Sequence, residues 1–236
     1  MTTKPIYKPI YSEMISRNNL LLQNGTIRFD PQLNNPKKDP RKGLAYFAFD
    51  IHTNEKFESI IKEAKKTFPT QITYEQNPKD PKQGLLHFTF LQLIGVKENM
   101  KNLPPSLLNQ YIETPKKIFT KMPPFSITYK GLIAIPTGVI IYGYPSIDIN
   151  PYREKIRQAI IKKKLPFHEP FKTNIAHSTF LRLANPEDPQ KLITFAEKYR
   201  KTELGKININ SLQLGYGTWG MKKEEIKMFT TLPLGV

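Results

Sequence analysis

Two seven-residue segments of this chain are near copies of each other. His87-Phe88-Thr89-Phe90-Leu91-Gln92-Leu93 and His177-Ser178-Thr179-Phe180-Leu181-Arg182-Leu183 agree at five of seven positions, 90 residues apart in a chain of 236. An offset close to half the length predicts two like lobes. The order of elements recurs around the two copies. Apolar and aromatic runs at 44–51, 85–96, 126–135, 139–144, 175–183, 207–215 and 226–232 read as strands. Helical spacing marks 55–68, with Phe57, Ile60, Ile61, Ala64 and Phe68 on one face, and a weaker helix over 104–119 interrupted near Pro115. A third helix over 151–164 starts at Asn150-Pro151 and buries Tyr152, Ile156, Ala159 and Ile160, and a fourth opens at Asp188-Pro189. The expected fold is α+β: a bilobal, internally duplicated fold of two antiparallel-sheet lobes, with helices on the outer faces and a central cleft. The globular domain is expected over 44–236, its lobes pseudo-two-fold related with an approximate division near 125–145. Residues 1–43, rich in Pro, Asn and Lys, read as an N-terminal extension ending in a basic loop at 35–43.

Composition narrows the chemistry. There is no cysteine, which excludes disulfides, thiol catalysis and cysteine-ligated metal sites. The N-terminus lacks the apolar core of a signal peptide, and the most apolar stretch, 131–144, is too short to span a bilayer. The expectation is an intracellular, cytoplasmic protein with no membrane association, acting as a monomer. Lys and Arg number 36 against 20 Asp and Glu, a formal charge of +16. That balance favours a polyanionic partner such as RNA or a nucleotide, although exposed loops and helix ends such as Lys162-Lys163-Lys164 carry much of it as a solvated face.

The duplicated motif carries the chemical signal. Side chains two apart on a strand point the same way, so His87 shares a face with Thr89, and His177 with Thr179. Phe88, Phe90 and Phe180 face the other side, towards a helix layer. With the lobes face to face, two imidazoles and two hydroxyls converge. One imidazole can then accept a proton while the other donates one, as in-line displacement at phosphorus requires. The two hydroxyls can hydrogen-bond the non-bridging oxygens, where charge accumulates.

Paired H-x-[ST]-x motifs on strands of a duplicated α+β chain resemble the 2H phosphoesterase superfamily, over roughly 44–236. Leu86-His87-Phe88-Thr89-Phe90 fits well; Ala176-His177-Ser178-Thr179-Phe180 departs at polar Ser178. The resemblance implies cleavage of a phosphodiester in RNA, a 2′,3′-cyclic phosphate, 2′,5′-oligoadenylate or a cyclic (di)nucleotide, without metal or other cofactor. It implies His87 and His177 as the acid–base pair and Thr89 and Thr179 as phosphate-binding residues. A non-catalytic RNA or nucleotide binder keeping the same fold is the alternative.

Other residues are weaker candidates. Lys130 and Tyr142, in the central hairpin, are read as contacts at the cleft rim, as is His168 in a loop, although a lone histidine is more often structural. Gly215-Tyr216-Gly217-Thr218-Trp219-Gly220 matches a dinucleotide-binding string, but only sixteen residues follow it and they read as turn and strand. Tyr216 and Trp219 there are read as aromatics that stack on a base or pack in the core. Arg182, three residues beyond Thr179, points away from it in an ideal strand.

Overall fold

The computed structural model describes residues 4–35, 39–97 and 100–235; residues 36–38 of the basic loop lie outside them, as does the N-terminal tripeptide. The chain begins with α1 (Lys4–Gln23) and continues through β1 (Lys42–Ala48), β2 (His52–Thr53), α2 (Glu55–Thr67), β3 (Ile72–Glu75), β4 (Gly84–Leu85) and β5 (Phe88–Lys97). After α3 (Pro105–Thr120) come β6 (Phe125–Ile135), β7 (Gly138–Pro145), α4 (Asn150–Lys162), β8 (Ala176–Arg182) and α5 (Pro189–Lys198). β9 (Glu203–Ile209), β10 (Ser211–Gly217) and β11 (Lys227–Pro233) complete it.

These strands make two sheets, one ordered β11-β10-β1-β5 and the other β2-β9-β6-β7-β8-β3-β4. All pairings are antiparallel except β3 with β4. The α+β, two-sheet architecture expected from the repeat is the one observed. The boundary between lobes is different. β2, β3 and β4 precede residue 125 yet belong to the second sheet, while β10 and β11 return to the first. The division near 125–145 therefore does not separate the lobes. The single strand expected over 207–215 is also two strands, β9 and β10, one in each sheet.

Helices cover the outer faces through the phenylalanines of the repeat. Phe88 and Phe90 are fully buried, Phe90 lying 6.1 Å from the Phe119 ring of α3. Phe180 packs edge-on at 5.8 Å from Phe57 of α2 and stacks at 6.1 Å on Phe195 of α5. Each such ring contributes about 2 kcal/mol by leaving water. Ser178, on the same side of β8, is 1% exposed and satisfied: its hydroxyl donates to that of Tyr129 at 2.8 Å.

Three helices differ from expectation. α3 runs through Pro115 without interruption. Proline cannot donate to the carbonyl four residues back, and the Tyr46 hydroxyl supplies that bond to Tyr111 O at 2.6 Å. In α4 the buried face holds Arg153 and Arg157 beside Ile156 and Ile160, whereas Tyr152 and Ala159 are half-buried. Ile149 is its N-cap and gives no side-chain cap, and just before it the Asp148 carboxylate accepts from Asn150 N at 3.1 Å.

α1 is the largest departure. Half of the segment read as an extension is a twenty-residue helix with Pro9 inside it. Tyr7 and Tyr11 are buried against Ile133, Ile140, Tyr142 and Ile175, forming a small core of their own. The Tyr11 hydroxyl accepts from Gly143 N and Ala176 N, each at 3.2 Å, and lies within 2.9 Å of both their carbonyls. It thus bridges β7 and β8 beside His177. Tyr11→Phe is expected to leave those buried groups short of a partner and cost about 1–3 kcal/mol. Thermal unfolding should read this as a fall in Tm of roughly 3–10 °C; an unchanged Tm would contradict the bridge.

Candidate active site

A cleft of about 560 Å³ runs between the two sheets, and His87, Thr89, His177 and Thr179 all line it. His87 stands at the threshold of β5 and His177 lies inside β8, so each imidazole is two residues from its threonine on a motif strand. The repeat read from the sequence does converge.

The two strands also share a defect. Against β1, Tyr46 pairs with Leu91 but Phe47 pairs with Thr89, leaving Phe90 as an extra residue. Against β7, Val139 pairs with Leu181 but Ile140 pairs with Thr179, leaving Phe180 extra. A bulge of this kind shifts side-chain alternation by one. Two phenylalanine-centred bulges at equivalent positions therefore turn Gln92 and Arg182 towards the cleft, which both line. Ideal alternation had sent Arg182 to the other face, and the bulge overturns that reading.

Arg182 is well placed for an anion. Its guanidinium sits 4.3 Å from the Trp219 ring centroid, and Nη2 donates to Thr179 Oγ1 at 3.3 Å. Its Nε is buried and has no hydrogen-bond partner among the described residues. Stacking on the indole holds the planar cation in place while leaving a donor for a ligand.

Both imidazoles are held neutral. His87 is enclosed by the rings of Phe47, Phe49 and Tyr74, at 5.8, 6.2 and 6.2 Å. Burial pushes its pKa down to about 4, and the Arg182 cation adds to this against the opposing pull of the Leu85 carbonyl. That carbonyl lies 2.8 Å from Nδ1. A carbonyl only accepts, so Nδ1 carries the hydrogen and Nε2 is the unprotonated nitrogen of the ring. Burial likewise pushes His177 down to about 4, helped by the Arg153 and Arg182 cations and by His87.

Arg153 explains how the two motif strands are tied. It is fully buried; Nε donates to Phe90 O at 2.7 Å and Nη1 to Ile175 O at 3.0 Å. One side chain from α4 thus grips β5 three residues after His87 and the chain two residues before His177. Among the described residues no group of three His, Asp or Glu side chains is placed to hold a metal ion, and no helix is long and apolar enough to cross a membrane.

Of the weaker candidates, only Trp219 lines the cleft. Tyr216 is 2% exposed in the first sheet, where its hydroxyl accepts from Leu103 N at 2.7 Å and its ring meets Phe229. Tyr142 is covered by α1, its ring 5.0 Å from Tyr11, and its hydroxyl donates to Arg200 O. Lys130 is half-buried opposite Glu203 on β9, outside the cleft lining. His168 is exposed and uses its backbone to join its segment to β5, through bonds of 2.8 Å to Leu93 and Gly95. The sequence reading missed Arg182, Gln92 and the whole face that α1 gives the cleft, Ile10, Glu13, Met14 and Arg17.

No protein-family model and no curated protein matches the sequence. Solved structures do match the fold. TT0787 of Thermus thermophilus superposes with a TM-score of 0.51 at 13% identity, covering 83% of this chain and 98% of that one. E. coli LigT complexed with 3′-AMP gives a TM-score of 0.50 at 13% identity, covering 83% of this chain and 99% of that one. The chain has the 2H phosphoesterase fold.

Proposed function

We propose that the protein is a 2H-type phosphodiesterase acting on a nucleotide phosphodiester. The observation that carries this reading is the convergence of both histidines, both threonines and Arg182 on one cleft through two strands bulged at the same place. E. coli LigT, which has the same fold, was solved with a nucleotide, 3′-AMP. The substrate classes are an RNA end, a 2′,3′-cyclic phosphate, 2′,5′-oligoadenylate or a cyclic (di)nucleotide.

One imidazole takes the proton of the attacking water or ribose hydroxyl as its oxygen bonds to phosphorus. The other gives a proton to the leaving oxygen as the second P–O bond breaks. Thr89, Thr179 and Arg182 hold the non-bridging oxygens, and Arg182 offsets the charge that grows on them. A charge-neutral pair of imidazoles is one proton short of this arrangement. The bound phosphate supplies the missing bias, because a nearby anion raises the pKa of both rings.

The test is turnover of those four substrate classes in excess EDTA, with products separated by chromatography across a pH series. Turnover is expected to persist in EDTA. The optimum of kcat/KM, which follows the free protein, is expected well below the ordinary histidine value of about 6.5, because both rings titrate near 4. The optimum of kcat, which follows the complex, should lie higher. Salt-sensitive binding with no product at any pH would instead support a binder.

A further inference from the structure

A phosphodiester has two ester arms, and the cleft has two flanks. In the strand order β7-β8-β3, His177 and Thr179 lie between Ile140 of β7 and Tyr74 of β3. On the β3 side stand Tyr74 and Trp219, joined by a 3.0 Å bond from the Tyr74 hydroxyl to Trp219 O. On the β7 side stand α1 and the segment 171–175. Ile10, Glu13, Met14 and Arg17 follow the i, i+3, i+4, i+7 spacing of one helical face, and all four line the cleft. Tyr7 and Tyr11 occupy the adjoining face and fix the helix to the sheet.

The segment opposite α1 is fixed as well. Arg157 and Glu169, both nearly buried, form a two-pronged pair at 2.7 and 2.9 Å. They also tie down Thr173, whose N donates to Glu169 at 2.7 Å and whose O accepts from Arg157 at 2.9 Å. Between these anchors Phe171 is held out at 78% exposure, the most exposed large hydrophobic side chain among the described residues. Arg17 and Glu13 are exposed and form no ion pair among the described residues.

We infer that this flank is a subsite for a second nucleoside arm, so that the substrate carries a nucleoside on each side of the scissile phosphate. The inference rests on the phosphodiesterase reading and narrows it to dinucleotide-length or longer ligands over a mononucleotide 2′,3′-cyclic phosphate. Phe171 offers its ring to the base of that arm, as aromatics in single-strand binders do. Arg17 meets a polar edge of that arm's base. Glu13, one turn earlier, accepts from a base amino group or a sugar hydroxyl.

The test is titration calorimetry at fixed salt, using the full chain with His87→Ala and His177→Ala so that nothing is turned over. The probes are 2′,5′- and 3′,5′-linked ApA and adenosine 2′,3′-cyclic phosphate. At least one dinucleotide is expected to bind tenfold or more tightly than the cyclic mononucleotide. Adding Arg17→Ala or Phe171→Ala should each cut that ratio by about tenfold; both side chains are exposed, so the fold is not at stake. A ratio near one, a ratio that neither variant moves, or no binding of any probe overturns the subsite. Wild-type protein that turns over nothing, with the ratio and its variants as expected, removes the catalytic reading and leaves the subsite standing. Histidine-dependent turnover with a flat ratio does the reverse.

Discussion

Replacing His87 or His177 by alanine is expected to lower phosphodiester turnover by about 10²–10⁴-fold, the usual worth of one positioned acid or base. The loss should fall on kcat, because Thr89, Thr179 and Arg182, the proposed phosphate-holding residues, remain. Each ring sits in the cleft wall and not in the helix-covered core, so the variants should stay folded. Asparagine at either position is the control: it keeps polarity and approximate size yet cannot carry a proton between oxygens, and it should be as inactive as alanine. The double variant should be little worse than either single one, because the two rings serve one step. Full activity in His87→Ala or His177→Ala would remove the assignment.

Arg153→Met is expected to be the most destabilising single change at the site. It strips donors from Phe90 O, Ile175 O and Asn150 Oδ1, and unmet buried acceptors cost about 1–3 kcal/mol each. A loss of about 3 kcal/mol or more would lower Tm by roughly 6–12 °C in a chain of this size. Turnover measured well below the new Tm should still fall, because β5 and β8 are no longer held by a common clasp. Removing the cation also relieves one of the influences that depress His177, so the pH optimum of the rate should move upward, whichever role that ring plays. Arg153→Lys keeps the charge but spans fewer carbonyls and should fall between the two. Unchanged Tm and rate in Arg153→Met would show that the clasp is not needed.

The acid stability of the fold carries the same signature. Each cleft histidine has a folded pKa near 4, against about 6.5 when unfolded. Between those values the unfolded chain binds more protons, so stability falls as pH is lowered through that window. A bound phosphate, by raising the folded values, should soften the fall.

What was legible in the sequence was whatever obeys a period. The repeat announced two lobes, and alternation put the phenylalanines of β5 and β8 under helices and the histidines and threonines in the cleft. Arg182 was hidden because one extra residue in a strand reverses the alternation, and nothing local in Thr179-Phe180-Leu181-Arg182 marks where β7 skips a pairing. α1 was hidden behind Pro9 and a run of polar residues, although Tyr7, Tyr11, Asn18 and Leu22 keep a helical stripe. Arg153 and Arg157 were absent from the buried face expected of that helix because charged side chains rarely go inside without partners, and nothing local in the sequence marks the partners they have at Phe90, Glu169 and Ile175. The lobe boundary was lost for a similar reason: β10 follows β9 after a single residue, Asn210, yet changes sheets.

The matched bulges leave the floor of the cleft nearly palindromic. His87 answers His177, Thr89 answers Thr179, and the extra residue is Phe90 in one strand and Phe180 in the other. The sixth position of each copy breaks the rule, with a neutral amide at Gln92 and a cation at Arg182. A palindrome would accept an asymmetric diester in either direction. One changed letter places a cation on one strand of the floor and a neutral amide on the other, so the floor, like the unlike flanks above it, distinguishes the two directions along the groove.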